Sequence, residues 1–509
     1  MPFGVAVGML LHMGMPDALP SGDSGLLELA VRSAMHGEQF TGSYSRFGFH
    51  HPGPVYFYIQ AFPYWLSGGT TIALHLTAIC LNGISVGSIV WVLWRTLPGT
   101  AFSFSLVTLS LYCMFLGQFL IEYWDPAVTI LPFVLLLLCC AGVMNGDTRL
   151  IGPASLAGTF VAQSQLTYVP TVLLVAGVTA LCRLSGPRRW LSLPESENPI
   201  GRRAAISWTI ALAVLWTPTV FDQLFGSGNL ANIFSAFLGN SEPSLRSLRD
   251  NYAELCLATS RFFALPLTTG ADIDSEVSVV ATHVVLILQL GVLIVGGMAF
   301  GRRPLIRGLS MLGLACFAAF LFSIQSIKGQ FHFHITLWMS CVGLVTLLVA
   351  GLMVEAAFRD RLAGKPRAIV ITILAMICGF LAYHNSKMNV YYTVLARWQH
   401  GTAPSSMLIR SSRDETVRAL EHDRGRPIAV RVEPASMWYG ASGLVLLLAR
   451  EGFDARAIGP HEVRFPMRYR LTAADGDTAE LLLIVDERDP GPGYALLGSS
   501  GLMRLYKRH

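Results

Sequence analysis

Acids and imidazoles stand in this chain at places where an apolar sequence makes them costly. Asp23 follows the first apolar run and begins a short predicted helix, GLLELAVRSAM. A carboxylate there has two compatible uses: capping that helix, with Asp23 or Ser24 as the N-cap, or serving as a general base at a membrane surface. His50 and His51 precede Pro52-Gly53-Pro54. Pro52 and Pro54 push the residues before them into extended geometry, and adjacent imidazoles then cannot face the same way. They mark either a plain turn or a phosphate- or sugar-binding pair that titrates near neutral pH. Glu122 and Asp125, in Glu-Tyr-Trp-Asp-Pro, fall between two apolar blocks, where carboxylates are expensive unless solvated or paired. Gln163 and Gln165 close a later block. Lys328, His332 and His334 occur in SIKGQFHFHI. Lys328 with a His pair suits a phosphate. The two histidines reach a divalent metal only if their segment is extended, and the interleaved Phe also fits interfacial snorkelling. No cofactor is required by these groups, and a divalent metal is an open addition.

The elements that must position these groups are membrane helices. Hydrophobic residues make up 53% of the 509 positions and charged ones 14%, well below the quarter or so of a soluble domain. The apolar residues come in blocks approaching the roughly 20 residues that cross a hydrocarbon core. Backbone groups in lipid must be satisfied internally, so the blocks are helices. No run of short alternating segments suggests a β-barrel. The net charge of +5 fits loop Lys and Arg and does not imply nucleic acid. Most cysteines lie inside apolar blocks, and no CxxC pair suggests zinc or redox chemistry. The stretch Val5–Met15 lacks a basic flank and a cleavage motif, so it reads as a first span whose upstream residues are missing from the assigned start.

About eleven spans are predicted, near 1–16, 70–94, 101–121, 127–144, 151–167, 169–183, 204–221, 279–300, 308–325, 334–354 and 368–384. The aromatic stretch 52–68, broken by Pro63, is predicted to lie along the interface. Arg95, Arg149, Arg183, Arg188, Arg189, Arg202, Arg203, Arg302, Arg303 and Arg307 then share one side, as do Arg359, Arg361, Lys365 and Arg367. That side is the cytoplasm by the positive-inside rule. Few basic residues fall near the membrane on the outer side, Arg32, Arg46 and Lys328 among them. The outer face carries a first loop (17–69), a second (222–278) and a tail from 385 to the end. The tail is richer in charge and is predicted to be a small α/β domain: a helix after Ser412 as N-cap, strands at 427–433, at FDARAIG and at 480–487, and a helix over 438–452.

An apolar first helix, an outer loop with an early Asp and a short helix, and a His-Pro motif leading into an aromatic interfacial helix form a recognisable order. It resembles the GT-C class of membrane glycosyltransferases, and within it the protein O-mannosyltransferase and aminoarabinose transferase branch, whose loop carries His-Pro-Pro-Leu or Lys-Pro-Pro-Leu. Here the stretch is His51-Pro52-Gly53-Pro54, followed by VYFYIQAFPYWLSGG. The resemblance covers mainly residues 1–145. Members often have Asp-Glu in the first loop, whereas here Ser24 follows Asp23 and Glu28 comes further on. The resemblance implies transfer of a sugar from a polyprenyl-phosphate donor to a glycan, lipid or protein acceptor at the outer face of the cytoplasmic membrane. Asp23 would be the base, and Glu28, Arg46, His50, His51, Glu122, Asp125, Gln163, Gln165, Lys328 and His332 would bind substrate. Residues 1–384 would form the transferase domain and 385–509 an extracytoplasmic domain. The competing classes are a transporter or flippase of lipid-linked saccharides, a polysaccharide polymerase and a non-catalytic scaffold. A transporter would favour mid-membrane charges and two related halves, and neither is evident.

Overall fold

The structure, a computed structural model, describes residues 2–14, 19–45, 48–184, 200–238, 247–264, 279–300, 303–327, 332–358, 364–402, 404–434, 438–460, 462–471, 478–485, 490–500 and 503–508. The helices are α1 (Pro2–Met13), α2 (Asp23–Met35), α3 (Val55–Leu66), α4 (Ile72–Thr96), α5 (Gly99–Leu116), α6 (Asp125–Val128), α7 (Ile130–Met144), α8 (Ile151–Ser164) and α9 (Val169–Leu184). Then come α10 (Arg202–Phe225), α11 (Asn229–Leu238), α12 (Leu248–Ala264), α13 (Val279–Ala299), α14 (Pro304–Ser326), α15 (Phe333–Thr336), α16 (Cys341–Phe358) and α17 (Lys365–Thr402). The tail holds α18 (Pro404–Ser411), α19 (Arg413–Leu420) and α20 (Trp438–Arg450).

Among the described residues, nine helical stretches are long and apolar enough to span a membrane. The shorter α1 and α8 fill the two remaining predicted positions. The chain is therefore a polytopic α-helical membrane protein. The stretch through α6 and α7 is enclosed on nearly all sides, whereas α10 and α17 lie on the perimeter. Trp338 anchors the centre, stacked on Tyr168 at 4.0 Å with Phe133 and Phe320 edge-on. Its indole donates to the Ile335 carbonyl, as a buried indole must. The helix α3 has 12 residues, about 18 Å long and too short to cross. It exposes Phe62, Trp65 and Leu66 near its end, the amphipathic habit of an interfacial helix.

The tail forms a five-stranded sheet: β1 (Ile428–Glu433), β2 (Ala455–Ala457), β3 (Ala479–Val485), β4 (Tyr494–Ser500) and β5 (Met503–Arg508). The order is β2-β1-β3-β5-β4, with β1 to β3 parallel and β4 and β5 antiparallel. The β4–β5 hairpin was not foreseen in the sequence. Two further expectations are corrected. The last spanning helix does not end near 384 but runs on to Thr402. Ser412 does not cap α19 with its side chain, because its hydroxyl donates back to the Leu408 carbonyl.

The tail does not stand apart. Leu19, Leu26 and Leu29 share one apolar core with Leu444, Leu448 and Val430, so α2 is the platform on which the sheet domain sits. A buried polar network pins the joint. Glu28 is wholly buried and accepts from Tyr64 (2.6 Å), Thr71 (2.9 Å) and Arg450 Nε (2.9 Å).

Candidate active site

The site is built where α2, the 39–51 segment, the start of α6 and the sheet domain meet. Helix α2 starts at Asp23 with Gly22, at φ 66°, in the capping position. Asp23 is thus the first helical residue, not the N-cap the sequence suggested. Residues 42–45 pair with 49–51 through Gly42 N–H to His51 O, His51 N–H to Ser43 O and Ser45 N–H to Phe49 O. The next turn holds Gly53, whose N–H donates to the Gln163 carbonyl. A Cβ at Gly53 would fall 2.3 Å from Gln163 Oε1 and 2.5 Å from Thr219 Oγ1. A side chain at the Gly of the His-Pro-Gly-Pro motif would displace Gln163 and Thr219.

These elements enclose a cavity of about 370 Å³ lined by Asp23, Ser43, Tyr44, His50, His51, Trp124, Asp125, Gln165, His332, His334, Trp438 and Arg464, among others. Seven residues singled out from sequence thus converge despite their separation: Asp23, His50, His51, Asp125, Gln165, His332 and His334. Asp23 opens onto the cavity, and the enclosing walls raise its carboxyl above the usual range, while Arg464 opposes that rise. Asp125 is buried; Ser43 donates to its Oδ2, and among the described residues its Oδ1 has no partner. A buried carboxylate oxygen left unpaired costs free energy, which makes it a place for a ligand donor.

The histidines depart from the expected role. Arg470 donates to His50 Nε2 at 2.9 Å, so the ring's proton sits on Nδ1, facing the Gly42 carbonyl at 3.2 Å. Burial and Arg470 push the His50 pKa down to about 4. His51 Nδ1 accepts from the Leu166 N–H at 3.2 Å, and burial together with His50 lowers its pKa to about 3. Both rings are neutral at physiological pH, so they shape and hold the cavity and do not supply positive charge. Asn229 clamps the pair from α11: it accepts from His50 N–H and donates to the carbonyls of His50 and His51.

Three predicted residues are not brought to the cavity. Glu28 points into the buried network with Arg450, a partner 422 positions away. Gln163 is buried against Gly53 and donates to the Leu215 carbonyl. Glu122 does not line the cavity either, and burial pushes its carboxyl up to about 7. Arg46 and Lys328 lie outside the described residues. His332 and His334 stack face to face, 5.4 Å apart, with His334 against Trp124 at 4.4 Å. Among the described residues, no three His, Cys, Asp or Glu side chains group to hold a metal.

Sequence reasoning missed Arg464. Its guanidinium lies 4.8 Å from the Trp438 ring and 4.9 Å from the Tyr44 ring, held by cation–π attraction. Among the described lining residues it is the one Lys or Arg. No local signal marks it, since the docking of the tail onto α2 brings it there.

Beside the polar cavity lies an apolar groove of about 890 Å³ between α8, α9, α10 and α11, lined by residues such as Leu136, Gly158, Leu173, Trp216, Ile233 and Phe322. The two share a wall. His51 faces one and Pro52 the other; Gln165 and Thr167 face one and Leu166 the other.

A multi-pass bundle with a sheet domain seated over an acid-bearing cavity is the class that fold and site define. No family model matches the chain, and no curated sequence does. Among solved structures, ArnT from Cupriavidus metallidurans bound to undecaprenyl phosphate is similar with a TM-score of 0.59 at 11% identity, covering 99% of this chain and 96% of that one. The same protein in the apo state gives a TM-score of 0.54 at 12% identity with the same coverage. The likeness extends over the whole chain and shows a GT-C-like fold.

Proposed function

We propose that this chain is a membrane glycosyltransferase that moves a sugar from a polyprenyl-phosphate donor to an acceptor hydroxyl. The observation that carries this reading is the shared wall between the polar cavity and the apolar groove. An amphiphile with a phosphate-sugar head and a long hydrocarbon tail fits that pair of spaces. The likeness to a protein solved with undecaprenyl phosphate supports the same donor chemistry.

In this reading Asp23 takes the proton of the acceptor hydroxyl as that oxygen forms the new bond to the sugar's anomeric carbon. The bond from that carbon to the phosphate oxygen breaks, and polyprenyl phosphate leaves with the electron pair. A raised carboxyl is a stronger base than an ordinary one, which suits this step. Arg464 answers the growing charge on the leaving phosphate, the electrostatic contribution that is commonly largest. Lys328 and Arg46 are further candidates for that role. Asp125, oriented by Ser43, accepts from a sugar or acceptor hydroxyl. Gln165 and His332 contact the sugar or phosphate, and His50 and His51 hold the cavity wall. The basic residues that the sequence concentrates in the opposite loops support an orientation with this end of the bundle and the sheet domain on the outer face of the cytoplasmic membrane, and with it a reaction in the cell envelope.

The test is purified protein in lipid nanodiscs, offered a panel of polyprenyl-phosphate hexoses with release of polyprenyl phosphate as the readout. Release by the native chain and its loss in Asp23→Asn support the reading. Equal release by both removes Asp23 from the chemistry. Binding followed by transfer of the intact lipid across the bilayer, with no release, would favour a flippase.

A further inference from the structure

Asn229 stands between the acid cavity and the apolar groove. It is the first residue of α11, follows Gly228 at φ 65°, and is buried. Its Oδ1 accepts from the His50 N–H at 2.9 Å, and its Nδ2 donates to the His50 carbonyl at 3.1 Å and the His51 carbonyl at 3.3 Å. One amide thus takes both backbone polar groups of His50, as a paired strand would. An amide offers an acceptor together with two donors, whereas the carboxylate of an Asp only accepts. His50 and His51 wall the acid cavity. Asn229 does not line that cavity, so it can act there only through them.

The rest of α11 belongs to the groove. Leu230, Ile233 and Phe234 line it, together with Leu212 and Trp216 of α10. Their spacing puts 230, 233 and 234 on one helical face. Phe234 is 63% exposed, so a hydrocarbon chain in the groove would touch α11 directly. The turn from α10 into α11 is stiff. Buried Asp222 accepts from the Ser227 N–H at 3.0 Å, the Ser227 hydroxyl at 2.9 Å and the Asn229 N–H at 3.0 Å. A Cβ at Gly226 would fall 2.6 Å from Asp222 Oδ1. A shift of α11 is therefore carried to Asn229 rather than absorbed in the turn.

We propose that Asn229 is a positioning residue that couples a polyprenyl chain in the groove to the His50–His51 wall of the acid cavity. The inference rests on the reading of the groove as the place of the donor's hydrocarbon chain. A chain packed on Leu230, Ile233 and Phe234 fixes α11. Asn229 then holds the backbone of His50 and His51, and with it the cavity wall. An empty groove leaves α11 and the wall freer to open locally. Long-chain donors are thereby favoured over short ones in the chemical step as well as in binding.

The experiment uses the full-length protein in a neutral detergent and reads hydrogen–deuterium exchange at the amides of His50, His51 and Gly53. The probe is undecaprenol, which has the hydrocarbon chain and no phosphate; its retention is read by native mass spectrometry. In the native chain undecaprenol is expected to slow exchange at these amides by about fivefold or more, the scale of one hydrogen bond. Asn229→Ala and Asn229→Asp are expected to retain undecaprenol as the native chain does and to show no such slowing. Phe234→Ala leaves the clamp whole and should weaken the slowing, which keeps the test decisive if an Asn229 variant fails to fold; undiminished slowing in it counts against the coupling. Equal slowing in the native chain and the Asn229 variants would mean that the chain acts directly on Pro52, and overturns the proposal. Undecaprenol retained by the native chain without slowing overturns the proposal and leaves the transfer reading intact. No retention by the native chain overturns both. In turnover, Asn229→Ala is expected to lower kcat for an undecaprenyl donor toward that for a citronellyl donor; an equal fall for both would mark a merely structural role.

Discussion

Two cavities flank α2 and are made from the same two parts, the first loop and the sheet domain, yet they present different charged groups. One presents Asp23 and Asp125 with Arg464 as the Lys or Arg among its described walls; the other, of about 490 Å³, presents Arg32, Arg410, Arg413, Arg450 and Glu451. Glu28 lies on the same helix and is fully buried. The difference separates two uses of charge. In the network around Glu28, the carboxylate is matched by Tyr64, Thr71 and Arg450 and fixes the domain's seat. In the acid cavity, Asp125 Oδ1 is unmatched among the described residues and Asp23 is held above its ordinary pKa. Unmatched polar groups are where chemistry is to be sought.

That contrast predicts the largest effects on activity at Asp23. Asp23→Asn should lower the rate of transfer by about a hundredfold or more, the scale of a lost general base, with unchanged unfolding temperature. Glu28→Gln should do the reverse. It leaves Arg450 short of its counter-ion in a buried setting and should destabilise the fold by on the order of 3 kcal/mol, visible in thermal unfolding. Any transfer activity of the surviving folded protein should stay near native. If Glu28→Gln abolished transfer without altering stability, the division between the two networks would be wrong.

Arg464→Gln sharpens the comparison further. Losing one donor to a developing oxyanion costs roughly a hundredfold in rate. Arg464 also holds the Asp23 pKa down, so its removal should move the acid limb of the pH–rate profile to higher pH. A slower variant with an unmoved limb would leave Arg464 a binding residue with no influence on Asp23.

The smallest effect expected of a single residue concerns the histidines. Both fold with pKa values below the ordinary 6.5, so the folded state binds fewer protons than the unfolded one as pH falls below about 6.5. Stability should therefore decline between pH 6.5 and pH 5, by on the order of 1 to 2 kcal/mol for each ring. The decline should shrink in His51→Asn, measured by thermal unfolding at the two pH values.

Much of this was legible from sequence because membrane segments announce themselves by length and apolarity. Asp23, His50, His51, Asp125, Gln165, His332 and His334 were also recoverable, since polar groups at the ends of spans stand out against their surroundings. Glu28 was not, because its partner Arg450 lies in the tail and nothing local joins them. Arg464 was hidden for the same reason: its role exists only once the sheet domain docks on α2. The β4–β5 hairpin escaped notice because its short apolar runs are broken by Gly and Ser. The helix α17 outran its predicted end because the polar residues after 384 continue a helical pattern beyond the apolar block.

The most direct test of the central claim is a structure of the full-length protein in nanodiscs with undecaprenyl phosphate. The account predicts the lipid's phosphate in the acid cavity, within reach of Arg464, and its tail passing His51–Pro52 into the groove beside Trp216. A phosphate seated instead among Arg32, Arg410 and Arg413, with the groove beside Trp216 empty of the polyprenyl chain, would contradict it.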